Sequence, residues 1–241
     1  QRQMCIRDRA IVIAFSIATL VFIPMLTSTT APIKSYLSYT LPVVGAGWII
    51  ALTGLIDDVK ELSAKKKMIG ILLAASLVWF LTDFRLNDFK IPFGGPLLHF
   101  EPWLSYFLTV IWIVAITNAV NLIDGLDGLV SGVSIISLVT MGIVSYFFLP
   151  VPNLFLTMTI FVLVASIAGF FPFNYHPAIL YLGDTGALFI GFMISVLSLQ
   201  GLKNATAVAV VTPMIILGVP ITDTFLAIIR RTLSGQKFYK T

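Results

Sequence analysis

The chain has 241 residues, of which 58% are hydrophobic and only 11% charged, with a formal net charge of +4 and a mean hydropathy of +1.00. A soluble domain carries about 25% charged residues, so this composition excludes an ordinary water-soluble globule and makes the bilayer the main solvent. The modest charge, with no Lys/Arg-dense tract, gives no footprint for nucleic acid. The single cysteine, Cys5, excludes an internal disulfide framework.

Residues 1–9 are polar, do not read as a cleavable signal peptide, and stop abruptly at the apolar run that follows. Long apolar runs then recur at roughly 10–26, 41–56, 68–82, 104–117, 129–149, 154–171, 186–200 and 206–222. Eight such runs, with no internal repeat and no soluble domain between them, predict an all-α, polytopic transmembrane bundle of about eight spans. Pro213, Gly218 and Pro220 fall inside the last run, where membrane helices tolerate them. Between the third and fourth runs, Phe84, Leu86, Phe89, Ile91 and Phe93 alternate before Gly94-Gly95-Pro96, and Leu97, Leu98 and Phe100 follow. That pattern predicts a small hairpin on the extracytoplasmic surface. His99 and Glu101 in it are assigned no chemistry.

Eight alternating crossings place both chain ends and the loops near 57–67, 118–128, 172–185 and 223–241 on one side. Eleven basic residues lie there: Arg2, Arg7, Arg9, Lys60, Lys65, Lys66, Lys67, Arg230, Arg231, Lys237 and Lys240. Four lie on the other: Lys34, Arg85, Lys90 and Lys203. The positive-inside rule makes the first side cytoplasmic. Most acidic residues share that side and adjoin span ends, where unpaired carboxylates are costly and mark function.

Four motifs carry these acids. In the first, Asp57-Asp58-Val-Lys-Glu61 precedes Lys65-Lys66-Lys67. Paired carboxylates at a span end can hold a divalent cation or accept a proton, and the lysines can meet phosphate or anionic headgroups. Neighbours on a helix diverge by about 100°, so Asp57 and Asp58 are expected to face different partners. A stop-transfer charge cluster is the plain alternative. The second motif is Asn118-x-x-Asn121-x-x-Asp124-Gly125-x-Asp127-Gly128. Oxygen-bearing side chains every third residue present several acceptors to one place, as a hard cation requires, against the alternative of a polar turn. In the third, Gly183-Asp184-Thr185-Gly186 opens a span. Its backbone N–H groups are expected to be free for phosphate and its carboxylate for a metal, unless Asp184 or Thr185 is merely an N-cap. The fourth is Pro220-x-x-Asp223-Thr224, followed by Arg230-Arg231. Asp223 can complete an acidic site and the arginines suit a diphosphate or polar sugar; a positive-inside flank is the alternative. His176 lies on the same face and is read as structural. Serine and cysteine nucleophile patterns and Gly-rich nucleotide loops are absent.

At these four stretches, in order and over nearly the whole chain, the sequence resembles the polyprenyl-phosphate N-acetylhexosamine-1-phosphate transferases. The likeness is greatest to the Gram-positive branch that opens wall teichoic acid synthesis from undecaprenyl phosphate and UDP-N-acetylglucosamine. The phospho-N-acetylmuramoyl-pentapeptide transferases share the first three motifs and lack the fourth. The resemblance implies that Asp184 binds Mg²⁺ (Mn²⁺ as an alternative) with Asn121 beside it, and that Asp57 sits at the lipid phosphate. It implies that Asp58 supports the metal or nucleotide site and that Asp124 and Asp127 line the sugar-nucleotide cleft. These four aspartates form the expected catalytic set. Asn118, Lys67, Asp223, Arg230 and Arg231 are the expected substrate contacts. Partners implied are undecaprenyl phosphate, a UDP-N-acetylhexosamine and membrane lipid, with a homodimer left open. The family also carries a further N-terminal span, and a His-rich motif beyond the paired arginines. Residues 1–9 are therefore read as an atypical leader, and 10–241 as a single membrane-embedded domain truncated at both ends.

The reaction so implied is attack of a lipid phosphate on a sugar nucleotide with release of UMP. One-step in-line transfer is favoured over an aspartyl-phosphate on Asp57 or Asp58. Two rivals are kept: the muramoyl-pentapeptide transferase, and an ion-coupled transporter. The transporter would place ionisable groups near the bilayer midplane, often within inverted repeats, whereas these acids gather at one face.

Overall fold

The computed structural model describes residues 9–27, 33–90, 97–147 and 154–204. The eighth apolar run, residues 1–8, the Gly94-Gly95-Pro96 turn, and Asp223, Arg230 and Arg231 lie outside them.

The described residues form helices at the seven remaining apolar runs. α1 (Arg9–Ile17) continues through a π-helical stretch (Ala18–Phe22) into α2 (Ile23–Thr27). Then come α3 (Ile33–Lys60), α4 (Ala64–Leu81), α5 (Pro102–Leu122), α6 (Leu129–Phe147), α7 (Leu154–Asn174) and α8 (Gly183–Asn204). Tyr36–Lys60, Pro102–Leu122, Leu129–Phe147 and Leu154–Asn174 are each long and apolar enough to cross a membrane, and Arg9–Met25 and Gly183–Leu199 are shorter apolar helices. The described residues form a polytopic helical membrane bundle with one small hairpin. α3 starts earlier than the hydropathy run because Tyr36 and Thr40 are buried within the bundle. α4 begins at Ala64, which draws Lys65, Lys66 and Lys67 into its first turn.

α8 is the axis of the bundle. Its residues from Thr185 to Leu199 are buried without interruption, as expected of a helix that is apolar all round. It packs chiefly against α3 and α5. Small residues permit the approach, as they do wherever membrane helices meet closely. A Cβ placed on Gly54 of α3 would lie 2.5 Å from Thr185 Cα, and one on Gly191 of α8 would lie 3.0 Å from Thr117 Cα of α5. Trp112 of α5 adds a polar tie, donating from Nε1 to Ser198 Oγ at 3.0 Å.

The predicted hairpin is present. β1 (Asp88–Lys90) pairs antiparallel with β2 (Leu97–His99) in the register Asp88↔His99, Phe89↔Leu98 and Lys90↔Leu97. It is anchored by Leu86 N–H donating to Thr109 Oγ1 and by Ser105 Oγ donating to Asn87 Oδ1, both at 3.0 Å. Those partners lie in the first turns of α5. The C-terminal ends of α3, α5 and α7 and the N-terminal ends of α4, α6 and α8 gather at the opposite end, and the acids of the first three motifs gather with them.

Candidate active site

The first link is between α3 and α8. Asp58 stands in the last turn of α3 and reaches the start of α8. Its carboxylate accepts Asp184 N–H at 2.9 Å, Thr185 N–H at 3.1 Å and the Thr185 hydroxyl at 2.6 Å. Exposed N–H groups at a helix start need acceptors, and a negative charge there also meets the positive end of the helix dipole. Asp58 is thus the cap of α8, supplied from another helix. The expectation that the Gly-Asp-Thr-Gly stretch leaves its N–H groups free for phosphate is corrected here: Asp58 occupies those of Asp184 and Thr185. Asp184 and Thr185 are not the cap either. Gly183 makes the junction feasible, with φ of +64° and room for the Asp58 carboxylate.

Asp57, one residue earlier, points elsewhere, as the helical rotation predicts. It is 6% exposed, accepts Leu62 N–H on Oδ1 at 2.6 Å, and forms an ion pair through Oδ2 with Lys67 of α4. The Lys67 ammonium also lies 3.0 Å from Asp184 Oδ1. Asn121, in the last turn of α5, donates Nδ2 to that same Asp184 oxygen at 2.6 Å. α3, α4, α5 and α8 therefore converge on Asp184 through Asp58, Lys67 and Asn121.

The expectation that the four residues of the second motif present their oxygens to one place holds only in part. α5 ends at Leu122, so the three-residue spacing loses its helical meaning after Asn121. Asn118 donates to Val114 O of its own helix at 2.8 Å. Asp124, in the turn beyond, stays with the cluster. Burial first, and then the charges of Asp184 and Asp58, push its carboxyl up to about 7. Asp127 turns away to the loop between α7 and α8, where it accepts Ala178 N–H and meets His176 Nδ1, each at 3.1 Å. The Ala178 N–H, and then His176, hold the Asp127 carboxyl below its usual range. His176 thus ties two loops together.

Asn174 is a site-building residue that the sequence reading passed over. Buried at the end of α7, it accepts Ser131 Oγ at 2.6 Å on Oδ1 and donates Nδ2 to Leu180 O at 2.9 Å. It fixes the loop that leads into α8. An amide at the end of an otherwise apolar run was the available signal.

These residues fit a divalent cation. Among the described residues no three acidic, histidine or cysteine side chains form a cage by themselves. Mg²⁺ does not need one, since it is usually held by one or two carboxylates together with water and substrate phosphates. The donors present are hard oxygens: the Asp184 carboxylate and, after a half-turn of its amide, the Asn121 carbonyl. The cluster also carries surplus negative charge, for Lys67 pairs with Asp57 and Asp184 while Asp58 caps α8 beside Asp184.

Comparison with known proteins gives the same framework a family. The sequence profile of Glycosyl transferase family 4 matches residues 40–202. The chain is 44% identical over 195 residues to a probable undecaprenyl-phosphate N-acetylglucosaminyl 1-phosphate transferase of Bacillus subtilis, covering 80% of this chain and 52% of that protein. It is 34% identical to a decaprenyl-phosphate N-acetylglucosaminephosphotransferase of Mycolicibacterium smegmatis, again covering 80% and 52%. It is 36% identical to a phospho-N-acetylmuramoyl-pentapeptide-transferase of Staphylococcus saprophyticus, covering 62% of this chain and 49% of that one. The chain spans about half the length of the curated relatives it matches. With the profile covering every motif that builds the described site, this chain belongs to glycosyl transferase family 4.

Proposed function

We propose that the protein transfers N-acetylglucosamine-1-phosphate from UDP-N-acetylglucosamine to undecaprenyl phosphate and releases UMP, with Mg²⁺ at Asp184 and Asn121. The observation that carries this reading is the convergence of Asp57, Asp58, Lys67, Asn121 and Asp184 from four helices at one end of a membrane bundle. The positive-inside bias supports a cytoplasmic position for that end, where a soluble sugar nucleotide and the phosphate head of a membrane lipid can meet.

The chemistry needs little proton transfer. A phosphate monoester has a second pKa of about 6 and is largely dianionic at neutral pH, so the acceptor oxygen is already a nucleophile. It attacks the phosphorus bonded to the sugar; the bond from that phosphorus to the UMP oxygen breaks, and UMP leaves. The larger difficulty is bringing two anions together. Mg²⁺, when bound, supplies charge neutralisation at the diphosphate and stabilises the leaving UMP. Lys67 adds a mobile positive charge next to Asp57, which orients the acceptor rather than deprotonating it. Asp58 acts through α8 by fixing Asp184.

UMP release by membranes carrying the protein tests the reading, with undecaprenyl phosphate, UDP-N-acetylglucosamine and Mg²⁺ supplied. The expected result is lipid-dependent release that disappears with EDTA and in Asp184→Ala. The likeness to the muramoyl-pentapeptide transferases supports a second donor. Release with that donor alone would assign the sister activity, and silence with both would overturn the transferase reading.

A further inference from the structure

We propose that Lys67 is a built-in counter-ion of the acidic site, holding the cation position between Asp57 and Asp184 until a divalent metal displaces it. This rests on the proposed reading that a metal joins Asp184.

Three consecutive lysines open α4, and they are not equivalent. Lys65 and Lys66 are exposed. Lys67 is turned inward, its side chain 19% exposed, with its ammonium on Asp57 of α3 and Asp184 of α8 at once. A compact ammonium with three donors on a flexible stem can bridge two carboxylates and still let go, which a planar guanidinium does less readily.

Like charge at one shared oxygen sets the two cations against each other. Asp184 Oδ1 takes both Lys67 Nζ and Asn121 Nδ2, which occupies both lone pairs of that oxygen. The half-turn that presents the Asn121 carbonyl takes its N–H off this oxygen, so Lys67 is the donor left facing a metal on Asp184, and its like charge opposes that metal. On Asp57, Leu62 N–H takes Oδ1 and Lys67 takes Oδ2. Withdrawal of Lys67 takes the counter-ion from Asp57 Oδ2 as well. The displaced ammonium, on its four-carbon stem beside the same acids, is then free for a phosphate oxygen. Metal entry and phosphate capture are coupled by the departure of one side chain.

Competition of this kind is reciprocal: what Lys67 contributes to the metal-free protein it subtracts from metal affinity. The test measures Mn²⁺ binding by electron paramagnetic resonance on the purified protein without nucleotide or lipid phosphate. Wild type is compared with Lys67→Met, Lys67→Gln and Asp184→Ala, and metal-free melting temperatures are recorded alongside. The expected result is Mn²⁺ affinity about tenfold higher in Lys67→Met and Lys67→Gln, a lower metal-free melting temperature in both, and loss of binding in Asp184→Ala. Equal or weaker affinity in the lysine variants, with wild-type binding that depends on Asp184, would overturn the counter-ion role and leave the metal site standing. Mn²⁺ binding absent from wild type, or indifferent to Asp184, would overturn both.

Discussion

The carboxylate of Asp58 accepts the backbone N–H of Asp184 at 2.9 Å, across 126 residues of sequence. The second member of an acidic pair thus builds the site without facing it. Asp58→Ala removes the cap and leaves two N–H groups at the start of α8 without their acceptor. Loss of a cap costs about 0.5–2 kcal/mol, and a shift of Asp184 by about 1 Å costs roughly hundredfold in rate. The expected outcome is a lower melting temperature together with about a hundredfold fall in UMP release. Asp58→Asn, which keeps an acceptor oxygen, should lie between wild type and Asp58→Ala. A full loss of activity with an unchanged melting temperature would instead place Asp58 on the substrate.

Gly54 tests the same junction through packing. A methyl group there would sit 2.5 Å from Thr185 Cα and 2.7 Å from Thr185 N, both backbone atoms that cannot swing aside. Gly54→Ala should destabilise by about 1–3 kcal/mol and depress activity by wedging α3 from α8. Gly45, on the same helix, has nothing within 4 Å of its virtual Cβ. Gly45→Ala should be neutral or slightly stabilising, within about 1 kcal/mol, since alanine is the better helix former. Thermal unfolding of both variants in one detergent checks the contrast.

The pH dependence of stability should carry the signature of Asp124. Its carboxyl sits at about 7 against an ordinary 3.8, so the folded protein holds this proton more tightly than the unfolded chain does. Such a group contributes stability that is complete below the unfolded value and is lost as pH rises through the folded one. In the presence of a chelator, the melting temperature should therefore fall between about pH 4 and pH 7, and Asp124→Asn should flatten that fall. An unaltered slope in Asp124→Asn would assign the titration to another group.

His176 and Asp127 should separate under mutation. His176 is largely exposed and meets Asp127 at 3.1 Å, and exposed pairs contribute at most about 1 kcal/mol. Asp127 also holds Ala178 N–H in the loop that leads into α8. Asp127→Ala should lower UMP release well below that of His176→Ala, which should remain within a few-fold of wild type. Equal losses in the two variants would show that the histidine itself does the work.

The bundle could be read from composition because lipid leaves so few options. Each of the first seven apolar runs had to be a helix, and the hairpin announced itself by alternation around Phe84–Phe89. The divergence of Asp57 and Asp58 followed from helical rotation alone. The partners of Asp58 did not, because a cap supplied from another helix leaves no local pattern; Gly-Asp-Thr-Gly reads equally well as an open anion site. The second motif misled for a related reason. Its three-residue spacing continues past Leu122, where the helix stops, so Asn121 and Asp124 reach the cluster while Asp127 departs. Lys67 could be placed near phosphate from its neighbours, but its bridge depends on where α4 begins, and hydropathy set that start too late.

Burial of α8 on every side from Thr185 to Leu199 has a consequence for biosynthesis. A helix with no face left for lipid has its place only after the helices that wall it in have been made. At about 5–20 residues per second, roughly 6–25 s separate the appearance of Asp58 from that of Asp184. By the end of that interval the ribosome has released Asp57, Asp58, Lys67 and Asn121, yet no Asp184 exists to gather them. The site is completed by the last of the described helices to be translated, so an immature chain carries its acids without the geometry to use them.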